Sequence, residues 1–549
     1  AALARVATAA RARGLGLVLV MVPNHLAAYP VGNAWWRDLL RNGPASRWAD
    51  VFDVDWDAPE ARLAGRLLLP VLGDHAGREV EAGAFAARIC DDGEPVLVHP
   101  AVEVPLELGS LTSVLARVPA LAALVGEIRA LPPWSSDGAA REVRIEAESQ
   151  LRAHVHGALT DPDVGRAFLE AVSTVTADPA ALDSLLEAQP YRLARWRAGL
   201  EDLGYRRFFD VTSLVALRTD RREVFDLTHA ALRRWVEQDL VDGLRIDHVD
   251  GLADPATYLR WLRELVGDRW IVVEKILEGT EDLPDGWPVA GTTGYEVGDL
   301  VDRLDLADAG RAPLERLAED AGRDTDVDDV EDQAMAEVLD SLLSADLNRL
   351  VDLAVSLCES RRRLRDVTRR EVREALVAVL RRFRRYRTYV EAGRPPSAED
   401  LAAVQDVVDA VLAEESHHDR DLLELVRRLL RGEEAAGRVE LEFTMRYKQI
   451  SGHTRAKGCE DTAWYRLVTL ISRCEVGADP DEWGIGLEEF HAAMSRRQHR
   501  WPTAMTAITT HDSKRSADVR ARLGVASQWA SDVVELVEAW WGREGRGAD

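Results

Sequence analysis

Asp242-Gly243-Leu244-Arg245-Ile246-Asp247-His248 is the stretch that decides the fold. It follows an amphipathic helix pattern over residues 222–237 and runs into the turn Asp250-Gly251. Because side chains alternate along a strand, Arg245 and Asp247 are predicted to share one face, and Leu244, Ile246 and His248 the other. An arginine beside an aspartate favours the ionised carboxylate, so the sequence predicts an ionised Asp247 at the end of a strand.

Two further carboxylates follow apolar runs. Trp270-Ile271-Val272-Val273 has the length and composition of a short buried strand and is followed by Glu274-Lys275. The residues Thr503–Thr509 likewise predict a buried strand, which would end in Thr510-His511-Asp512. Strands that alternate with helices and end in carboxylates are the pattern of a β/α-barrel active site.

Composition limits the classes of function. The chain has 549 residues, 46% of them hydrophobic, and a net charge of −26, which predicts a soluble protein of several lobes with no nucleic-acid or anionic-membrane partner. Cys90, Cys358, Cys459 and Cys474 lack disulfide or metal-ligand spacing, which favours a reducing cytoplasm. His417-His418 has no further ligand candidates at metal spacing and is predicted to lie on the surface, so neither a metal nor a cofactor is expected.

The order of these patterns predicts a barrel with two large excursions. A helix over Ala1–Arg13 leads into a strand over Leu15–Val20, with no initiator methionine before it, so the chain is expected to start inside a βα unit and to be a fragment. The predicted domains are a partial barrel (1–27), an inserted α+β subdomain (28–210), barrel units around strands 4–6 (211–309), a helical insertion (310–440) and a barrel continuation (441–549).

Three carboxylates at strand ends, without a metal cluster or a serine elbow, favour glycosidic chemistry. In a retaining mechanism Asp247 would be the nucleophile and Glu274, which follows four apolar residues, the protonated acid. Asp512 would hold sugar hydroxyls, and His25 and His511 would donate hydrogen bonds to the same ring. The alternatives are ordinary charged residues at strand ends and, for Asn24-His25, a turn with a helix cap.

At these residues the chain resembles the α-amylase family of glycoside hydrolases. The resemblance is carried by four motifs in order: PNH at 23–25, GLRIDH at 243–248, VVEK at 272–275 and THD at 510–512. It implies an α/β fold, a (β/α)8 TIM-type barrel that is incomplete at both ends. A lobe would be inserted after strand 3 and a large all-helical insertion before strand 7.

Longer stretches are similar to members of that family that form trehalose ends: NGPASRWADVFDVDW at 42–56, YRRFFD at 205–210, AKGCEDTAWYR at 456–466 and THDSKRSADVRARL at 510–523. This similarity implies an intramolecular transglucosylation that converts the reducing-end α-1,4 linkage of a maltooligosaccharide into an α,α-1,1 linkage. The implied partners are the α-1,4-glucan substrate and a hydrolase that releases trehalose from the product.

The resemblance also supplies binding residues. Those in or beside the four motifs are Asn24, His25, Arg245, His248, Lys275 and His511. A closed acceptor end that excludes water would be formed by Lys448, Lys457, Glu460, Asp461, Lys514 and Arg515. All four lysines of the chain occur among these candidates.

Three departures from the family pattern weaken the expectation of activity. Val20 stands where the family has an aspartate that would support Arg245, Pro190 replaces a histidine, and Leu97-Val98 replaces tyrosines. With its flanking barrel units missing, the chain alone is expected to be poorly stable and inactive. Two other functions stay open: an α-1,4-glucan hydrolase or transglycosylase of the same family, and a non-catalytic glucan-binding protein.

Overall fold

The computed structural model describes residues 2–132, 138–279, 281–391, 393–414, 418–434 and 437–544, so His417 lies outside the described residues. The chain divides into two compact units. Unit 1 comprises Ala1–Asn24 and Thr219–Asp549, and unit 2 comprises His25–Arg218. Residues Ala2–Arg11 form helix α1 and Val18–Met21 form strand β1, close to the predicted helix and strand.

Unit 2 is a mixed α/β unit. Its strands are β2 (His25–Ala27), β3 (Leu67–Leu72), β4 (Ala86–Ile89), β5 (Pro95–His99), β6 (Val102–Pro105), β7 (Tyr191–Arg195), β8 (Arg207–Phe208) and β9 (Val211–Ala216). Its helices are α2 (Ala34–Asn42), α3 (Ala76–Glu81), α4 (Thr112–Leu115), α5 (Leu124–Arg129), α6 (Gly138–Leu159), α7 (Pro162–Thr176) and α8 (Pro179–Glu187). The strands form three small sheets, ordered β2-β9-β8, β3-β7 and β4-β5-β6.

A four-stranded parallel sheet is the centre of unit 1. After helices α9 (Arg222–Thr228) and α10 (Ala230–Glu237) come β10 (Gly243–Ile246), α11 (Pro255–Val266), β11 (Trp270–Val273), β12 (Gly291–Thr292) and α12 (Tyr295–Leu304). The sheet order is β1-β10-β11-β12. Apart from Arg245, the residues of β10 and β11 are apolar and mostly buried, as expected for parallel strands covered on both faces, and they confirm the two strands predicted from sequence.

A closed barrel is not observed among the described residues. Val18 and Val20 of β1 are 50% and 62% exposed, and no described strand pairs with the outer edge of β1. The strand predicted over Thr503–Thr509 is wrong. This segment forms no ladder: its Met505 N–H donates to Thr292 O at 3.2 Å, whereas Met505 and Ile508 are exposed.

A helical insertion follows α12, and its last helix runs past residue 440 to Thr454. Its helices are α13 (Arg311–Asp320), α14 (Val327–Asp340), α15 (Ser344–Glu359), α16 (Arg369–Arg381), α17 (Ala398–Ala413), α18 (Arg420–Leu430) and α19 (Arg438–Thr454). Leucines and valines of α14 to α19 form one core. A π-helical turn, Arg455–Glu460, continues α19, and helices α20 (Leu487–Arg500), α21 (Ala517–Gln528) and α22 (Ala530–Glu544) complete the described chain.

No helix in the described ranges is long and apolar enough to cross a membrane. The four cysteines form no disulfides, and three of them are buried.

Candidate active site

The carboxyl ends of three neighbouring strands bring the first site residues together. Asp247 directly follows β10 and Glu274 directly follows β11, and Tyr295 begins α12 shortly after β12. Each of the first two continues the backbone pairing by one residue: the Asp247 N–H donates to Met21 O at 2.8 Å and the Glu274 N–H to Ile246 O at 2.7 Å. Parallel strands end at the same edge of a sheet, so these backbone bonds fix both carboxylates on one rim.

Arg245 joins the two carboxylates. Its guanidinium donates to Asp247 Oδ1, and its Nη2 lies 3.9 Å from Glu274 Oε1. The shared strand face predicted for Arg245 and Asp247 is therefore confirmed. Val20 is the register partner of Arg245 on β1, but the missing aspartate does not leave Arg245 without a partner, because Asp247 and Glu274 supply the negative charge.

Glu274 holds its proton unusually tightly. Burial, and next the negative charge of Asp247, raise the pKa of Glu274 to about 7. The His248 N–H, which donates to Glu274 Oε2 at 2.5 Å, and the charge of Arg245 act in the opposite direction, and Asp512 adds a further rise. A carboxylic acid that is half-protonated near neutrality can donate a proton in one step and accept it in another.

Asp512 reaches the same site without a strand to carry it. Tyr295 donates to Asp512 Oδ2 at 2.5 Å, and Thr510 Oγ1 lies 3.1 Å from the Tyr295 hydroxyl. The segment can approach because of a glycine. A Cβ on Gly294, whose φ is +96°, would lie 2.7 Å from the Thr506 Cα. Close backbone packing therefore replaces the strand pairing that the sequence predicted.

His248 contributes its backbone to the site. Its φ of 50° and ψ of 48° place it in the left-handed region, outside β10, and turn its N–H toward Glu274. Its ring stacks on the ring of His453 with centroids 5.9 Å apart. A Cβ on Gly251 would overlap the His248 ring and lie 2.9 Å from Oδ1 of the fully buried Asn24.

Two of the predicted binding lysines are buried. The side chain of Lys275 is completely buried, where its Nζ lies 3.0 Å from Glu281 and 3.4 Å from Asp250. Burial disfavours this ammonium, but Asp250 and Glu281 outweigh that effect and raise its pKa. Lys448 is also buried and donates to Val390 O, and burial lowers its pKa to about 7. The Lys275 side chain has no exposed surface with which to contact a sugar, so the structure corrects its assignment. Lys448 is 4% exposed and its ammonium is held by a backbone carbonyl, and its binding role stays a prediction.

The other acceptor-end candidates surround the π-helical turn. Lys457 Nζ lies 3.1 Å from Asp461 Oδ2, and Lys514 Nζ lies 3.6 Å from the other oxygen of Asp461. Tyr386 donates to Glu460, and burial raises the pKa of Glu460 well above its usual range. These four titratable groups therefore form one cluster, in which the charge of Lys514 lowers the pKa of Glu460 and that of Glu274 raises it.

Three candidates remain: Arg515 and His25 lie outside these two groups of contacts, and His511 borders Asp512. Arg515 donates to the backbone oxygen of Cys474 at 3.3 Å. His511 is 73% exposed, with Nε2 3.4 Å from Asp512. His25 belongs to unit 2, where it stacks on Phe208 with ring centroids 4.5 Å apart.

Two tyrosines of the site were missed by sequence reasoning. Tyr295 ends the motif GTTGY and anchors Asp512, so its place just after a strand end was a usable signal. Tyr386 lies in an arginine-rich stretch of the helical insertion, far in sequence from its partner Glu460, and no local pattern marks it.

Metal-ligating side chains do not gather around these carboxylates in the described ranges. The group with suitable spacing there is Cys90, Asp92 and Glu94, in unit 2. Glu94 already pairs with Arg37 and Arg41, which would compete with a cation.

A cavity of about 1130 Å³ lies in unit 1, and its lining includes Glu278, Thr292, Glu296, Arg455 and Trp464. Asp247, Glu274 and Asp512 are not part of that lining.

Comparison with known proteins gives consistent relatives. The chain is 35% identical over 536 residues to a putative maltooligosyl trehalose synthase of Mycobacterium tuberculosis (strain CDC 1551 / Oshkosh), covering 96% of this chain and 56% of that protein. The maltooligosyltrehalose synthase of Arthrobacter ramosus superposes with a TM-score of 0.74 at 32% identity, over 98% of this chain and 58% of that one. A DSM5389 glycosyltrehalose synthase gives a TM-score of 0.69 at 26% identity, over 98% of this chain and 58% of its own.

The chain thus spans little more than half the length of the relatives that it matches. No protein-family model matches it.

Proposed function

The chain is a relative of the maltooligosyl trehalose synthases over nearly its whole length, and from that premise we propose that it is an intramolecular glucosyl transferase. It would convert the reducing-end α-1,4 linkage of a maltooligosaccharide into an α,α-1,1 linkage. The observation that carries this proposal is the arrangement of Asp247 and Glu274 on one guanidinium, with the pKa of Glu274 raised to about 7.

In the first step Asp247 is the nucleophile. Its carboxylate attacks C1 of the penultimate glucose, while Glu274 gives its proton to the oxygen that leaves with the terminal glucose. The bond from C1 to that oxygen breaks, and a covalent glucan–Asp247 ester forms. Arg245 holds Asp247 in place before the attack.

In the second step the released glucose is the acceptor. Its anomeric hydroxyl attacks the same C1 from the opposite side to the ester, and Glu274, now a carboxylate, takes the proton of that hydroxyl. Asp247 leaves, and the new linkage joins two anomeric carbons. No water is consumed, so the reaction is an isomerisation.

Asp512 and the charged cluster would bind the sugars during these steps. Tyr295 fixes one oxygen of Asp512, which leaves the other for hydroxyls of the ring that develops positive charge. Lys457, Asp461 and Lys514 offer donors and acceptors to the free glucose while it turns. The protonated form of Glu460, favoured by burial, would add a hydrogen-bond donor.

For the fold, we propose that the four-stranded sheet is an arc of a (β/α)8 barrel. The parallel pairing of β1, β10, β11 and β12 and the carboxylates that directly follow β10 and β11 support this. The lobe at 28–210 would then be the insertion after strand 3, and the helices at 310–440 the insertion before strand 7.

A maltooligosyl trehalose trehalohydrolase would be the functional partner, because the product has a trehalose end that only a second enzyme can release. The cytoplasm would be the compartment of both, in line with the unpaired thiols.

Product analysis from maltopentaose tests the proposed reaction, and turnover would overturn the expectation that this chain alone is inactive. The expected result is a loss of reducing ends without release of glucose or maltose, and Asp247→Asn should lower the rate by several orders of magnitude. Asp518→Asn, which changes an exposed aspartate of α21, is the matched control and should keep the wild-type rate. Release of glucose or maltose with an increase in reducing ends would instead identify a hydrolase.

A further inference from the structure

Side chains of the helical insertion donate hydrogen bonds to the turn that follows β10 and Asp247. Val249–Gly251 forms one 3-10 turn. The fully buried Arg387 donates from Nη1 to Asp250 O at 2.6 Å and to Leu252 O at 2.5 Å. Gln449 donates from Nε2 to Gly251 O at 3.1 Å. Three consecutive carbonyl groups of a buried turn thus receive their hydrogen bonds from residues more than a hundred positions away.

The same helix also fixes the residue before the turn. Gln449 and His453 are four positions apart on α19 and therefore lie on one face. Gln449 holds the turn and His453 stacks on the ring of His248. A non-glycine residue in the left-handed region is strained by about 1 kcal/mol or more and keeps that conformation only where its surroundings impose it. For His248 these surroundings include the hydrogen bonds to the turn and the packing of its ring.

We propose that the helical insertion is a positioning element for the general acid: through Gln449, Arg387 and His453 it imposes the left-handed conformation of His248 that aims its N–H at Glu274. This inference rests on the proposed function, because it concerns the group assigned there as acid and base. Gln449, Arg387 and His453 would not touch the substrate. They would act through His248 alone.

Several other groups face Glu274 and must be counted in any titration. Asp247 and Arg245 face it from β10, Asp512 from the segment before α21, and Tyr295 and Glu460 interact with it electrostatically. Gln449 is not in hydrogen-bond contact with any of these groups; its side chain donates instead to Gly251 O. Removing that bond therefore changes one contribution to Glu274, the His248 N–H, which stabilises the carboxylate form.

The test is a direct titration of Glu274 that needs no substrate. The protein is labelled with glutamate carrying ¹³C in the carboxyl group, and the Glu274 signal is assigned by its loss in Glu274→Gln. We compare wild type with Gln449→Met, which keeps an unbranched side chain of similar length but cannot donate, and with His453→Leu. Thr444→Val is the control, because it removes a side-chain bond of the same helix to Leu429 O, away from the turn.

The expected midpoint of Glu274 is about 7 in the wild type and in Thr444→Val. In Gln449→Met and in His453→Leu it should rise by about one unit, since a carboxylate that loses part of a backbone N–H bond is a stronger base. Gly251→Ala, whose Cβ would displace the His248 ring, should raise it at least as far.

The inference would be overturned if Gln449→Met and His453→Leu fold and the midpoint of Glu274 in both equals that in Thr444→Val. The two proposals fail separately. If the Glu274 midpoint shifts in the variants but the wild type releases glucose from maltopentaose, the proposed function is wrong and the positioning role is supported. An unshifted titration with the trehalose-ended product formed would do the opposite.

Discussion

Replacing Glu274 by glutamine should stabilise the protein at alkaline pH. Glutamine has nearly the same shape, and its carbonyl oxygen can still accept the His248 N–H, but it never carries the charge that burial and Asp247 oppose. The folded-state pKa of Glu274 is raised, so folding favours the protonated acid. The cost of Glu274 is absent below about pH 4.5, grows as pH rises, and is complete above about pH 7.

The size of the effect follows from the shift. A rise from 4.5 to about 7 corresponds to about 3 kcal/mol of destabilisation by the ionised side chain. The side chain is 21% exposed, so solvent screening reduces the expected gain of Glu274→Gln to about 2 kcal/mol at pH 8.5. At pH 4.5 wild type and variant should differ by less than about 0.5 kcal/mol.

Urea denaturation followed by tryptophan fluorescence measures this difference at both pH values. Glu535→Gln, at an exposed position of α22, is the control and should behave like the wild type throughout. A stability difference between Glu274→Gln and wild type that is the same at pH 4.5 and pH 8.5 would refute the reasoning, because it would mean that Glu274 ionises in the folded protein as readily as in water.

Three further predictions concern the other parts of the site. The rate constant kcat/KM for maltopentaose should fall on the alkaline side with a midpoint near 7, as Glu274 loses the proton that it must donate; a flat profile from pH 6 to 9 would contradict its role as acid. Tyr295→Phe removes the hydrogen bond to Asp512 and should lower kcat/KM by about 10- to 100-fold. The midpoint of urea denaturation should stay close to that of the wild type. An unaltered kcat/KM would show that Asp512 does not need this hydrogen bond for its role. Lys275→Met should cost about 3–5 kcal/mol in the free energy of unfolding, because it leaves Glu281 buried without its cation; a variant of wild-type stability with weakened glucan binding would restore Lys275 as a binding residue.

The sequence predicted the strands and the pairing around Asp247 because local patterns determine them. The apolar residues of β10 and β11 can be buried on both faces only in a covered parallel sheet, and the spacing of Arg245 and Asp247 places them together on a strand. The positions of Asp247 and Glu274 directly after strands were accessible in the same way, whereas the strand expected before Asp512 is not formed. What local patterns could not supply was the conformation of His248, which depends on contacts from the helical insertion.

The errors have a common physical origin in contacts between distant residues. Lys275 was predicted to bind substrate from its motif, but Glu281 and Asp250 bury and neutralise it. The segment before Asp512 has the apolar composition of a strand, yet it packs its backbone against glycines such as Gly294 instead of joining a ladder. Composition records that a segment is apolar and does not record what it packs against.

The identity of the nucleophile is the most direct test of the proposed mechanism. The Glu274→Gln variant, which lacks the base needed for the second step, is incubated with a 5-fluoro-α-maltosyl fluoride, digested with trypsin and examined by tandem mass spectrometry. We predict one maltosyl adduct, on Asp247, in the peptide that spans residues 246–260. A stable adduct on Asp512, in the peptide 501–514, or on Asp250 or Asp254 would contradict the assignment of Asp247 as the nucleophile.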